Sequence, residues 1–452
     1  MHINKITLFI GTTLLGLIFL YLAALFSLIE LHQLVLLPIK ILMITAAFIL
    51  SFQGIFTLFW MLYGWEDPNK MLQDEPPKVL KSPQKTFSIL IPARFESEVI
   101  SNTIHTMSLL KYPKQLFEVI ILCKADDIDT IERANRAIKE TKSTNFRVCI
   151  FNSTQTSKPS ALNEGLAQSQ YEIVGVFDAE DEPHVQILDF VNTIFLRDTP
   201  DIVQGGVQLM NYQTAWFSPL NVLEYYFWYK SALHLFSRMK VVPLGGNTVF
   251  FNRETLIAQG GWEECLTEDA EIGLRFSSQN KKIKIMYHPT IVTKEESPST
   301  LTALLHQRTR WNQGFFQILL QRKWNNFGDV KRKLFAFYFL MLAQINALNF
   351  ILVILSLSSF LIHLPIVATL VVLFPLYLLC LQLLAQLLGY YEFTKDFQVK
   401  FSLIICVKII LGFIPYQFIL TFGAVRAFWR HLRNRNNWEK TTHQNLHRAS
   451  YL

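Results

Sequence analysis

The sequence predicts an α/β domain, built on a mainly parallel sheet and inserted between membrane-spanning helices. Three observations predict it. Apolar runs at 5–30, 37–64, 335–362, 364–391 and 401–428 each exceed the ~20 residues that cross a hydrocarbon core. Between the two groups, about 70–330, the composition is that of a soluble domain long enough to bury its own core. Within that stretch β-type runs alternate with helical ones, the pattern of parallel strands joined by right-handed crossovers.

The elements follow in order. Residues 1–65 read as two transmembrane helices. The first run is too long for a secretory signal and a second follows at once, so it reads as an uncleaved anchor. Residues 66–86, rich in Pro, Lys, Asp and Glu, read as a linker. The domain itself is expected over 87–298. Its β-type runs are Phe87 to Ile91, Phe117 to Cys123, Phe146 to Phe151 and Tyr171 to Phe177, with helices about 97–110, 128–141 and 159–168 between them. Ligands of open sheets sit beyond the carboxyl ends of the strands. That rule gathers Pro92 to Glu96, Cys123 to Asp127 and Asp178 to Asp181 around one crevice. Residues 215–240 hold Tyr225, Tyr226, Trp228, Tyr229 and Phe236, aromatics expected at the headgroup level of a bilayer. Residues 299–332 read as an interfacial helix, 333–428 as a C-terminal transmembrane bundle and 429–452 as a basic cytosolic tail.

Charge orients the chain. It is 51% hydrophobic and 17% charged, with a net charge of +7. Much of the basic excess lies in the tail, at Arg426, Arg430, Arg433, Arg435, Lys440 and Arg448. Such flanks stay cytoplasmic, which places the domain in the cytosol beneath a plasma or inner membrane. A cytosolic tail needs an even number of C-terminal crossings, against three apolar runs. The segment interrupted by Pro415 is a candidate re-entrant hairpin; alternatively 335–391 divides differently. No basic stripe with stacking aromatics marks the domain, so no nucleic-acid partner is expected. The five cysteines lack paired spacing, which implies neither a zinc site nor a disulfide framework.

The chemistry sits at a few places. Asp178, Glu180 and Asp181 crowd the end of an apolar strand. Two charges 4 Å apart repel by about 4 kcal/mol at an effective dielectric near 20, so the group needs a proton or a cation. Hard oxygen ligands suit Mg²⁺ or Mn²⁺ bridged to phosphates. Asp178 and Glu180 lie on one side of an extended backbone, while Asp181 faces away or turns back. Lys158, before a helix, could contact a phosphate. Gly245 and Gly246 allow close backbone approach, and Asn247 can donate or accept. Thr267-Glu268-Asp269 looks like a capped helix start. It also offers Asp269 as a base for an incoming hydroxyl, its pKa raised by desolvation. In the helix beginning near Thr300, Gln307, Arg310, Trp311 and Gly314 fall on one face. Arg310 can hold a diphosphate bidentately, and Trp311 offers a flat face to a sugar ring.

Taken in this order, the residues resemble the membrane-embedded glycosyltransferases of family 2, the group of cellulose, chitin and hyaluronan synthases. The signature is an acidic metal motif, Thr-Glu-Asp and Gln-x-x-Arg-Trp, flanked by membrane helices. The variant Asp178-Ala179-Glu180-Asp181, the segment from Lys158 to Asn163 and the tail motif Trp438 to His443 are similar to a bacterial exopolysaccharide-type subgroup. The resemblance implies a glycosyltransferase A-type domain, a divalent metal and inversion at the anomeric carbon. It puts Ala93 and Glu96 at the nucleotide, Asp178 and Glu180 at metal and diphosphate, and Asp269, beside Glu268, at the base. Gln307, Arg310 and Trp311 border donor diphosphate and acceptor sugar, with Asn247 near the acceptor end. Two departures stand out. Cys123-Lys124 occupy the place where relatives carry nucleoside-contacting acids, with Asp126-Asp127 slightly later. The metal motif reads Asp-x-Glu rather than Asp-x-Asp. The expected activity is transfer of a hexose from a nucleotide diphosphate sugar, with a UDP-sugar favoured and the choice between uridine and guanosine left open by the Cys123-Lys124 departure, to a growing β-glycan that passes through the membrane bundle. Its rivals are a single transfer to a membrane lipid, of ceramide or polyprenyl-phosphate type, and a non-catalytic transport subunit or scaffold.

Overall fold

Runs of Ile, Val, Leu and Phe without polar alternation form strands buried on both faces. Four are β1 (Phe87–Pro92), β2 (Phe117–Lys124), β3 (Phe146–Phe151) and β4 (Ile173–Val176), close to the runs read from sequence. The computed structural model describes residues 5–30, 37–66, 71–153, 155–358, 364–435, 439 and 444–449. Of the tail motif Trp438 to His443, only Glu439 falls within them. Strands β5 (Ile202–Gly205), β7 (Val249–Asn252) and β8 (Ile283–Met286) complete a seven-stranded sheet in the order β3-β2-β1-β4-β7-β5-β8. The sheet is parallel except at β7, which runs antiparallel to both β4 and β5. A small second sheet pairs β6 (Val207–Leu209) with β9 (Thr293–Glu295).

Successive side chains alternate across the sheet. Phe87, Ile89, Ile91, Val119 and Ile121 fill one core, and Leu90, Ile120, Leu122, Val174 and Val176 fill the other. The chain proceeds outward from β1 to β2 and β3, then returns to lay β4 on the other side of β1. The carboxyl ends of β1 and β4 therefore diverge into a crevice, the place where open sheets bind ligands.

The segment before β1 is more than a spacer. Asp74 is buried, accepts a bond from His234 Nδ1 at 2.8 Å, and pairs with Lys284 at 3.4 Å. Asn192 Oδ1 accepts the backbone N–H groups of Gln84 and Lys85 at 3.1 and 3.0 Å. The ordered body thus starts well ahead of residue 87.

Around the domain lie long apolar helices: Lys5–Glu30, Leu37–Glu66, Val330–Ser358, Ile366–Asp396 and Leu403–Leu432. Leu37–Glu66, Ile366–Asp396 and Leu403–Leu432 are long and apolar enough to cross a membrane, by length and composition. They meet the domain through the aromatic stretch, which forms a helix (Ser218–Phe227), a π-helical turn (Trp228–Ala232) and a second helix (Leu233–Met239). The headgroup placement expected for this stretch is replaced by burial. Leu223, Tyr226, Phe227, Tyr229 and Phe236 face protein on all sides, because the sheet covers one flank and the long helices the other. Tyr226 Oη donates to Asp396 at 2.6 Å, and Ser231 Oγ donates to the Trp60 carbonyl at 2.6 Å.

The Leu403–Leu432 helix holds Pro415 and runs beside the domain along its length. Lys408 Nζ donates to the Gln213 carbonyl at 3.4 Å, Tyr416 Oη to Glu224 at 2.7 Å, and Arg430 Nε to Gln313 Oε1 at 3.1 Å. Its outward face, with Leu403, Val407, Leu411 and Phe422 exposed, is apolar.

Candidate active site

One cavity of about 520 Å³ opens over the carboxyl ends of β1 and β4. The residues assigned from sequence to donor, metal, base and acceptor line it: Ala93, Glu96, Lys158, Asp178, Glu180, Asn247, Glu268, Asp269, Gln307, Arg310 and Trp311; Asp181, Asp126 and Asp127 do not.

The acidic turn is self-organised. Beyond β4, the Asp178 N–H donates to Asp181 Oδ2 at 2.8 Å. Asp181 has therefore turned back beneath the turn, one of the two options its spacing leaves. Asp181 is fully buried, and Asn247 Nδ2 donates to its other oxygen at 2.8 Å. Burial, with Asp178, Glu295 and Glu180 nearby, pushes the Asp181 carboxyl well above its ordinary range. Asn247 also reaches Glu295 at 3.5 Å, so its amide serves the acids behind the cavity.

Lys158 joins the two acidic motifs. Ser157 Oγ accepts the Ser160 N–H at 3.1 Å and caps the helix that Lys158 begins. The Lys158 ammonium lies 2.5 Å from Asp178 Oδ1, 2.8 Å from the Gly246 carbonyl and 3.8 Å from Glu268 Oε1. Burial acts to lower its pKa, but Asp178 and Glu268 hold it above the ordinary lysine value.

Glu268 and Asp269 open the helix Glu268–Ser278. Thr267 stands at its cap position without a side-chain capping bond; its hydroxyl is pressed against the next helix instead. Burial is the main reason that Glu268 is pushed up to about 7, with Lys158 opposing and Asp269 adding to it. Asp269 is raised by burial too, against the Ala270 N–H, Lys158 and Arg310. Burial thus raises both carboxyls, the direction in which a carboxylate becomes a better proton acceptor near neutral pH. A Cβ on Gly246 would lie 3.4 Å from Asp269 Oδ2, and one on Gly245 would meet Tyr229 Oη at 2.1 Å. The glycine pair is what lets this strand approach pass so close.

The third wall is the helix Leu301–Leu320, capped by Thr300 Oγ1, which accepts the Ala303 N–H at 3.2 Å. Gly314 brings it onto the Thr-Glu-Asp turn, since a Cβ there would lie 2.4 Å from Thr267 Oγ1. Gln317 Oε1 accepts the Leu266 N–H at 3.1 Å. Among the described residues, buried Gln307 Oε1 and Arg310 Nε find no hydrogen-bond partner. Buried polar atoms are normally satisfied, so these two point to a polar ligand. Arg308 faces away from the cavity, pairs with Glu224, and lies 4.5 Å over the Trp311 ring.

Sequence reasoning missed several lining residues. Tyr225 and Tyr229, one helical turn apart, continue the aromatic wall from Trp311 at centroid distances of 6.3 and 6.2 Å. Their spacing was legible, but not which flank they face. Glu295 reaches the cavity from β9, and nothing local in its sequence marks it.

A divalent cation fits this chemistry. Asp178 and Glu180 line the cavity among Asp181, Glu295, Glu268 and Asp269, a surplus of carboxylates over Lys158 and Arg310. Among the described residues no three potential ligands stand close enough to hold a metal by themselves.

Comparison with known proteins places this geometry. The profile of the family described as "Glycosyltransferase like family 2" matches residues 83–314, just over half of the chain. The chain therefore belongs to glycosyltransferase family 2. A beta-monoglucosyldiacylglycerol synthase of Nostoc sp. is 29% identical over 239 residues, covering 51% of this chain and 49% of the relative. A poly-beta-1,6-N-acetyl-D-glucosamine synthase of Staphylococcus epidermidis is 27% identical over 288 residues, covering 61% and 65%. The chain thus spans about half the length of the first relative and under two thirds of the second. Among solved structures, a mannosyltransferase from Pyrobaculum calidifontis in complex with GDP-Man and Mn²⁺ superposes with a TM-score of 0.50 at 15% identity. That match covers 87% of this chain and 99% of the other, and bears out the glycosyltransferase A-type fold.

Proposed function

We propose that the protein transfers a hexose, with inversion, from a nucleotide diphosphate sugar to an acceptor hydroxyl at a membrane surface, extending a β-glycan. The observation that carries this reading is the Lys158 ammonium, 2.5 Å from Asp178 and 3.8 Å from Glu268. It holds the diphosphate side and the base side of the cavity within one sugar's width. Ala93 and Glu96 border the nucleotide, for which UDP is favoured. Asp178 and Glu180 would hold Mg²⁺ or Mn²⁺, which would offset charge on the diphosphate. Gln307 and Arg310 supply their unpartnered polar atoms to the diphosphate, while Trp311, with Tyr225 and Tyr229, forms the floor for the acceptor sugar. Asp269 takes the acceptor's proton as the hydroxyl oxygen bonds to the anomeric carbon. The bond from that carbon to the phosphate oxygen breaks, and its electron pair leaves with the nucleoside diphosphate. A single displacement from the opposite face inverts the centre. Asn247 holds Asp181 and supports the turn.

The long helices support a membrane placement, in the following arrangement. Leu37–Glu66, Val330–Ser358 and Ile366–Asp396 cross, together with the N-terminal helix. Leu403–Leu432 lies along the membrane face, since both its ends touch soluble elements. Two C-terminal crossings then leave domain and tail together in the cytosol.

A second reading, a single transfer to a lipid, is favoured by the resemblance to the Nostoc beta-monoglucosyldiacylglycerol synthase. Product size separates the two. Detergent-purified protein with Mn²⁺ and radiolabelled donor should give a polymer; a lipid-sized product would replace the glycan reading, and nucleotide release with no donor tried would sink both.

A further inference from the structure

We propose that the C-terminal segment is a working part of the active site, with Arg448 positioning the acidic turn Asp178–Asp181. The inference rests on the metal-binding role proposed for that turn. The sequence marks 429–452 as a basic cytosolic tail. Instead, residues 444–449 dock on the catalytic domain. The backbone N–H groups of Gln444 and Leu446 donate to the two oxygens of buried Glu296, the latter at 2.6 Å. Asn445 Nδ2 donates to the Glu98 carbonyl at 3.2 Å. His447 is fully buried, 3.9 Å from the Glu296 carboxylate.

These contacts deliver Arg448 to the back of the turn. Its Nη2 donates to the carbonyls of Glu180 and Asp181, both at 3.2 Å, and to Thr103 Oγ1 at 3.1 Å. Thr103 Oγ1 in turn donates to the Ala179 carbonyl at 2.6 Å. Three successive carbonyls of the turn are thereby held from behind, while the acids of the same residues project forward. A buried carbonyl needs a donor, and one terminal nitrogen of the guanidinium, Nη2, reaches both carbonyls. It also sets a positive charge behind Asp178, Glu180, Asp181 and Glu182, the last 4.0 Å away. Without it the carbonyls of Glu180 and Asp181 lose this donor, and their peptide units are left to the Asp181 and Glu182 N–H groups, which donate to the Asp178 and Lys294 carbonyls. Arg448 touches no reacting atom; it acts through the turn.

The test uses the full-length protein in detergent, with Arg448→Met, Arg448→Lys and Glu296→Gln. Mn²⁺ binding is read by electron paramagnetic resonance with UDP present, and amide exchange is read over residues 178–182. Arg448→Met should weaken Mn²⁺ about tenfold, ~1.4 kcal/mol, and speed exchange in that turn alone. Arg448→Lys should recover part of both. Glu296→Gln, which loosens the dock from its far end, should move both in the same direction and covers the case in which Arg448→Met fails to fold. Unchanged exchange at 178–182 in Arg448→Met or Glu296→Gln would overturn the proposal. Faster exchange with unchanged Mn²⁺ binding, or wild-type protein that binds no Mn²⁺, would instead overturn the metal role of the turn and leave the positioning role standing.

Discussion

Substituting Gly314 by Ala tests whether the Gln-x-x-Arg-Trp helix and the Thr-Glu-Asp turn form one rigid site. The added Cβ would lie 2.4 Å from Thr267 Oγ1, 2.7 Å from Thr267 Cγ2 and 2.7 Å from the Thr267 backbone nitrogen. Ordinary contact begins at 3.4 Å, so the helix must back away by about 1 Å. Overpacking of this kind costs about 1–3 kcal/mol, which lowers the melting temperature without unfolding the protein. Catalysis should suffer more, because a misplacement of about 1 Å at a reacting centre costs on the order of 100-fold. Steady-state sugar transfer, with kcat and donor KM resolved, is the assay, paired with thermal unfolding in detergent. Adding Thr267→Ala removes two of the three contacts but leaves the nitrogen at 2.7 Å. The double variant should therefore recover part of the lost kcat/KM. A single variant that keeps kcat/KM within about threefold of wild type would refute the claim that this spacing is catalytic.

Other consequences are more direct. Asp269→Asn should abolish transfer while leaving UDP binding intact, and surviving transfer would remove Asp269 as the base. The activity should fall as pH drops through about 7, because Glu268 is pushed up to that value and protonation silences the carboxyl pair. Lys158 lowers both Glu268 and Asp269, so Lys158→Met should move this acid limb to higher pH; a downward move would contradict the sign. Arg310→Lys, which loses the bidentate fork, should cut donor kcat/KM by about 10- to 100-fold, the worth of one charged hydrogen bond. Cysteines placed at Gln398 and at Arg433, flanking the Leu403–Leu432 helix, should be labelled from the same face of a sealed vesicle; opposite faces would make that helix a crossing.

The sequence carried most of the site because its chemistry is local. Asp178 with Glu180, and Glu268 with Asp269, are close in the chain, and a strand end or helix start aims each pair without outside help. Gln307, Arg310, Trp311 and Gly314 share a face through helical period alone. What stayed illegible depends on partners far away in sequence. Gly314 reads as one more polar-face residue until Thr267 is found against it. The amide of Asn247 is committed to Asp181, 66 residues distant, so its reach toward an acceptor could not be judged from its neighbours. Tyr225 and Tyr229 look like membrane aromatics by composition, yet the sheet on one side and the long helices on the other turn them into cavity wall.

The Leu403–Leu432 helix shows the same limit at the scale of topology. Its length and composition match those of Ile366–Asp396, so no hydropathy argument separates them. The polar groups do. Lys408, Tyr416 and Arg430 are spaced along the helix on a protein-facing stripe, and each meets a partner outside the long apolar helices. A helix buried upright in hydrocarbon would meet such partners only at its cytosolic end, since polar side chains at the bilayer centre are costly. The wholly apolar outer face is what lipid would cover in a helix lying at the surface. On the proposed topology, with this helix at the surface, an odd count of apolar runs and a tail on the same side as the domain are compatible.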